Sequence, residues 1–250
     1  MAMADHSKVA LITNCTEYGG PASVQALAAE GFTLHCHDPK FADSAVRKQF
    51  GSRYPGAVLT DTSDPEALVA EAFDRHQRID CLVSNDCGYS AQMDFDAADF
   101  RHALEVLTVT PYRLSAAVIP HMQRQGGGSI VLITSGGPLL NPVASRDGKV
   151  SIHYQVGREA AHGLVRCLAA SVGSDNIQVN AIAPFMLYSQ TYFPSEQGAD
   201  DPAYQSLLKQ RVPMGRFGTD EEFAELVVLC ASGRSRFVSG QIIGFSGGGA

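Results

Sequence analysis

The chain has 250 residues, 45% of them apolar and 18% charged, with a net charge of −7. That length can hold one large core, and the composition is that of a folded globular protein rather than a disordered one. The negative charge and the absence of a Lys/Arg cluster argue against nucleic acid as a partner, and no apolar run is long enough to span a membrane.

The amino terminus, MAMADHSK, runs directly into the first strand pattern with no signal sequence ahead of it, so a cytoplasmic protein is expected. KVALIT (8–13) is that strand. TNCTEYGG follows, and then a helix pattern over 20–30. Strand, glycine-bearing turn and helix is the arrangement of a dinucleotide-binding loop, whose glycines let the backbone approach a pyrophosphate; here Tyr18 stands where a small residue is wanted. The remaining strands are FTLHCHD (32–38), AVL (57–59), IDCLVSN (79–85), SIVLITS (129–135), IQVNAIAP (177–184) and QIIGFSG (241–247). Helices are expected over 42–53, 65–76, 98–124, 152–173 and 220–232; the third begins with a capping signal, Ser63-Asp64-Pro65-Glu66. Several strands are apolar on both faces, as in a parallel sheet covered by helices. The alternation predicts a single domain over 1–250: an α/β, doubly wound parallel sheet of about seven strands with helices on both faces. Region 186–218 is irregular and follows the sixth strand, where loops line the ligand crevice, so it is expected to be a substrate cap. Tyr188, Tyr192 and Phe193 would belong to that cap or to the pocket wall.

The six cysteines form no C-x-x-C pair and most lie in apolar runs, which suits reduced core thiols. The eight histidines show no H-E-x-x-H spacing, and no metal is expected.

Chemistry-bearing residues gather at strand ends. The first strand leads into Thr13–Gly20, the fourth into Ser84-Asn85-Asp86, the fifth into Thr134-Ser135 and the sixth into Pro184-Phe185-Met186-Leu187. Beyond the fifth, HYQVGREAAHG (153–163) opens a helix on which Tyr154 and Arg158 share a face.

Tyr-x-x-x-basic on a helix, after a serine at a strand end, resembles the short-chain dehydrogenase/reductase superfamily over essentially the whole chain, and implies a Rossmann-like fold. Four positions depart from it. Asn14 and Tyr18 replace the first two loop glycines and leave Gly20; Arg158 replaces a lysine; Leu107 replaces an asparagine; and Asn85-Asp86-Cys87-Gly88 replaces a small-residue turn. The departures together resemble the halohydrin dehalogenases, with loop signature T-x4-[F/Y]-x-G (Thr13, Tyr18, Gly20) and catalytic signature Ser, then Tyr-x-x-x-Arg (Ser135, Tyr154, Arg158). Eighteen residues lie between Ser135 and Tyr154, more than that family carries, so Ser145 and Ser151 are rivals for the serine role; Ser135 is preferred because a strand end positions a hydroxyl rigidly.

That resemblance implies a cofactor-independent lyase converting vicinal halohydrins to epoxides with halide release, and opening epoxides with small anions in reverse. Tyr154 would be the base, Arg158 the charge favouring phenolate, Asp86 the support of the guanidinium and Ser135 the hydrogen-bond donor to the substrate oxygen. Thr13, Tyr18, Gly20, Pro184, Phe185, Met186 and Leu187 would form the halide and substrate pocket, with no cofactor bound; Phe185 and Met186 suit the core equally well. The alternative is a divergent NAD(P)-dependent reductase, to which Asp38 would contribute as a ribose ligand; otherwise Asp38 caps a loop. A homotetramer is implied by the same resemblance.

Overall fold

The computed structural model describes residues 7–86, 96–140, 150–187 and 202–249. Seven parallel strands form one sheet: β1 (Val9–Ile12), β2 (Thr33–His37), β3 (Val58–Thr60), β4 (Cys81–Ser84), β5 (Gly128–Ile133), β6 (Ile177–Pro184) and β7 (Ile242–Phe245). Their order is β3-β2-β1-β4-β5-β6-β7, so the winding reverses between β1 and β4 and opens a crevice at the strand carboxyl ends. β1, β4 and β6 are buried along their whole length, which is why their sequences read as unbroken apolar runs.

Helices cover both faces: α1 (Gly20–Ala29), α2 (Ser44–Arg53), α3 (Pro65–His76), α4 (Ala97–Leu104), α5 (Thr110–Gln125), α6 (Ile152–Val172), α7 (Pro202–Arg211) and α8 (Asp220–Ala231). One core packs Val24 and Leu27 of α1 and Phe223 and Val227 of α8 against Ile12, Val83 and Ile133. The other packs Leu68 of α3, Val118 of α5 and Val165 of α6 against Leu11, Leu82 and Ile130. Asp64 caps α3 as its sequence predicts, its carboxylate accepting from the Ala67 N–H at 3.0 Å.

Two expectations change. The single long helix over 98–124 is α4 and α5 joined by a π-turn, Glu105–Val109. The region expected to be irregular contains α7, whose Leu208, with Val212 just beyond its end, packs against Met186 and Phe217. Among the described residues no helix is long and apolar enough to cross a membrane, and no cluster of His, Cys, Asp and Glu could hold a metal ion. Cys15, Cys36, Cys81 and Cys230 are buried free thiols and Cys167 is exposed. Cys87, Gly88, Ser145, Tyr188, Tyr192 and Phe193 lie outside the described residues.

Candidate active site

The segments after β1, β4, β5 and β6 meet the first turns of α6 at the reversal point. On α6 the Arg158 guanidinium carbon lies 5.3 Å from the centre of the Tyr154 ring, within reach of a cation–π contact. Arg158 is 1% exposed and is the largest fully buried side chain among the described residues. A buried cation is costly unless hydrogen-bonded. Its Nη1 donates to the Ile133 carbonyl at 3.2 Å and to the Asp86 carbonyl at 3.3 Å, joining α6 to the ends of β5 and β4. The expected support by Asp86 is therefore made, in the contacts seen, through its main chain. The Asp86 carboxylate faces the first loop instead: it accepts from Asn14 Nδ2 at 2.8 Å, from the Thr13 hydroxyl at 3.2 Å and from the Ser84 hydroxyl. Burial pushes the Asp86 carboxyl above the usual carboxylate range, opposed by Ser84, Thr13, Arg158 and Asn14.

The loop after β1 keeps a glycine-loop backbone without its glycines. Asn14 and Tyr18 have φ of 44° and 51°, the left-handed region that favours glycine. Asparagine tolerates this conformation; a bulky aromatic residue there is strained, by about 1–3 kcal/mol. The Tyr18 ring is 8% exposed in the core that also holds Ile133, Leu187 and Phe223, and its hydroxyl donates to the Thr134 carbonyl at 3.4 Å. The ring thus bridges the first loop to the end of β5. Gly20 is fixed by close approach: a Cβ there would lie 2.5 Å from the Asn14 carbonyl oxygen and 2.8 Å from the Cys15 backbone.

Two residues assigned to the pocket are structural in the contacts seen. Gly20 closes the loop onto α1, and Thr13, 1% exposed, spends its hydroxyl between Asp86 and the Asn85 N–H, the latter at 2.9 Å. Asp38 takes its loop-capping alternative, accepting from the Thr16 N–H at 2.9 Å, the Thr16 hydroxyl at 2.7 Å and the Lys40 N–H at 3.0 Å.

Ser135 lies just past β5, 7% exposed, with Oγ accepting from the Gly137 N–H at 3.1 Å and, among the described residues, its own hydrogen left to donate. Ser151, at the start of α6, is also buried, and its Oγ has no partner among the described residues. After β6 the Pro184 carbonyl accepts from the Gly136 N–H at 2.8 Å, which fixes the 184–187 turn beside Ser135. Met186 turns left-handed, with φ of 60°. Its side chain belongs to the cluster under α7, and Phe185 packs against the same cluster and lines a cavity of about 330 Å³ with Phe217 and Phe245. These two side chains are wall and core. Among the described residues the N–H groups of Met186 and Leu187 have no acceptor.

A family model described as enoyl-(acyl carrier protein) reductase matches residues 20–249. The chain belongs to the short-chain dehydrogenase/reductase superfamily. Among solved structures it is similar to one described as a dehalogenation enzyme, at 33% identity over 99% of this chain and 100% of that one, with a TM-score of 0.88. It is likewise similar to the halohydrin dehalogenase HheC bound to ethyl (2S)-oxiran-2-ylacetate, at 30% identity over 96% of each chain and a TM-score of 0.89. Its curated relatives include the 3-oxoacyl-[acyl-carrier-protein] reductase FabG of Thermotoga maritima, 29% identical over 252 residues, 96% of this chain and 97% of that protein.

Against the superfamily pattern, Leu107 is informative. It is fully buried in the π-turn, where it packs on Gly157 of α6, and Thr108 Oγ1 donates to the Gly157 carbonyl at 2.8 Å. Leu107, where the superfamily pattern has asparagine, thus sits within a π-turn, and such turns recur at functional sites. Two site residues escaped the sequence reading. Gln155 follows Tyr154, and its amide lies over Gly137. His162 is one turn beyond Arg158, and its spacing of four from Arg158 was the signal available.

Proposed function

We propose that this superfamily member is a cofactor-independent lyase that converts vicinal halohydrins to epoxides. Tyr154, as phenolate, removes the substrate hydroxyl proton. The alkoxide oxygen then attacks the neighbouring carbon, a C–O bond forms, the C–X bond breaks and halide departs with the bonding pair. The buried Arg158 stabilises the phenolate, and Ser135 donates to the substrate oxygen as its charge develops. The N–H groups of Met186 and Leu187, in a left-handed turn, are donors for the leaving halide. Run backwards, the same groups open an epoxide with a small anion such as azide, cyanide or nitrite.

The observation that carries this reading is the buried Tyr18 ring in the first loop. The superfamily's nicotinamide dinucleotide needs that volume for its pyrophosphate, and Asp38, the candidate ribose ligand, already holds Thr16 and Lys40. On this reading an aromatic ring in the loop and an engaged Asp38 suit a dinucleotide poorly. The likeness to two dehalogenase structures supports the same reading. Halide release from 1-bromo-2-propanol without added nucleotide is the direct test. Saturable binding of NADH or NADPH in the micromolar range, with no halide release, would overturn it. The second reading, a divergent reductase, is favoured by the FabG relative and is decided by the same titration.

A further inference from the structure

The buried histidine on the catalytic helix has no part in the chemistry above. His162 has a fully buried side chain, with Nε2 3.0 Å from Thr134 Oγ1 and Nδ1 3.3 Å from Glu159 Oε2. Glu159 is more than half exposed, and its carboxylate can only accept. Nδ1 of the neutral ring therefore carries the hydrogen, and Nε2 accepts from the Thr134 hydroxyl. Burial favours that neutral form. Thr134, 1% exposed, precedes Ser135, and its carbonyl accepts from the Tyr18 phenol at 3.4 Å. Tyr154, Arg158 and His162 are spaced by four on α6, so this bond adds a second attachment of the catalytic face to the end of β5, one residue beyond the Arg158–Ile133 contact.

We propose that His162 is a positioning residue which, through Thr134, sets the Tyr18 ring and the Ser135 hydroxyl in register with the base on α6. The assignment rests on the proposed lyase reading, with Tyr18 among the residues of the halide and substrate pocket. Among the described residues the Thr134 side chain has one other partner, the Ile182 carbonyl, 3.3 Å from its hydroxyl.

The two ring nitrogens can be separated by substitution. Glutamine places its amide near the Nε2 position and asparagine near Nδ1, while leucine keeps bulk without either bond. Chloride affinity, read by ³⁵Cl line broadening, requires no turnover. His162→Leu and His162→Asn should bind chloride about tenfold more weakly, as expected for one lost buried hydrogen bond, with His162→Gln within about threefold of wild type. KM for the halohydrin should rise with the chloride constant, while kcat falls less. Unchanged chloride binding in His162→Leu, or equal defects in the Gln and Asn variants, would overturn the proposal. If His162→Leu does not fold, Thr134→Val must reproduce the chloride defect. If wild type gives no saturable broadening at all, the halide reading fails by itself. The positioning role is then judged by the melting temperatures of Tyr18→Phe, His162→Leu and their combination. A combined loss smaller than the sum of the two supports it, and an additive loss overturns it.

Discussion

Arg158 reaches Asp86 through the Asp86 carbonyl oxygen, 3.3 Å from Nη1, while the Asp86 carboxylate points toward Thr13 and Asn14. One guanidinium nitrogen thus bridges two main-chain carbonyls at the ends of the neighbouring strands β4 and β5. Lysine cannot reproduce this, because its single ammonium sits at a different reach and lacks the planar fork. Arg158→Lys should lower kcat/KM about tenfold or more, by analogy with other lost charge-assisted bonds, and move the pH–rate profile. An unchanged profile would show that Arg158 does not tune the base.

Tyr154→Phe should leave less than about 1% of halide release, on the scale expected for losing a general base, with an unaltered circular dichroism spectrum. Tyr154 is only partly buried, packed beside Ala103 and Leu107, and its ring remains in the variant. Retention of several per cent of wild-type activity would assign the base elsewhere.

Gly20→Ala should destabilise the fold by about 1–3 kcal/mol, because a methyl group there overlaps main chain that has no rotamer to change. The contacts at fault are the Asn14 carbonyl and the Cys15 backbone. Chemical denaturation measures the loss, and a wild-type midpoint would mean that the loop has room to move.

Acid should unfold the protein through its buried histidines. Burial lowers His35 from 6.5 to about 4, opposed by Glu71 and reinforced by His76, His37 and Arg75. His37, His76 and His162 shift in the same direction. A group whose folded pKa is depressed in this way binds protons more readily when unfolded. His35 therefore costs nothing above pH 6.5 and progressively more as pH falls toward about 4, where its share reaches about 3 kcal/mol. Urea midpoints at about pH 7 and about pH 5 test the slope, which His35→Gln should flatten.

Tyr112 on α5 and Ile152 and Val156 on α6 are exposed apolar side chains near the site. A second copy of the chain is the expected cover, within a homotetramer. Light scattering should give four chains for wild type and fewer for the double variant Tyr112→Asp, Val156→Arg; a monomeric wild type would remove the proposal.

The sheet was legible because buried parallel strands are written as apolar runs with turn residues between them. Tyr154 and Arg158 were legible because a spacing of four has one geometric meaning on a helix. α7 was not, since PAYQSLLKQR lacks a clear apolar stripe and draws its order from contacts of Leu208 with Met186 and Phe217. The π-turn at Glu105–Val109 has no residue signature of its own. Support of Arg158 by the Ile133 and Asp86 carbonyls was equally hidden, because every residue has a carbonyl and none advertises which one a guanidinium will find. The side chains of Phe185 and Met186 read as pocket or core; the structure puts both with the cluster that holds Leu208 and Phe217, an arrangement that no residue type in the 184–187 stretch announces.

The left-handed backbone at Asn14 and Tyr18 makes the loop's history reversible in the laboratory. Both positions already hold a backbone that glycine adopts without strain, so glycine can enter at either one without a change of local conformation. Glycine at position 18 would release strain of about 1–3 kcal/mol while emptying the volume of a buried ring, which costs about 3–5 kcal/mol, so the loss outweighs the relief. A directed lineage that opens this loop therefore needs a compensating substitution elsewhere in the core, so that what the cleft admits and how well the protein holds together are selected as one trait.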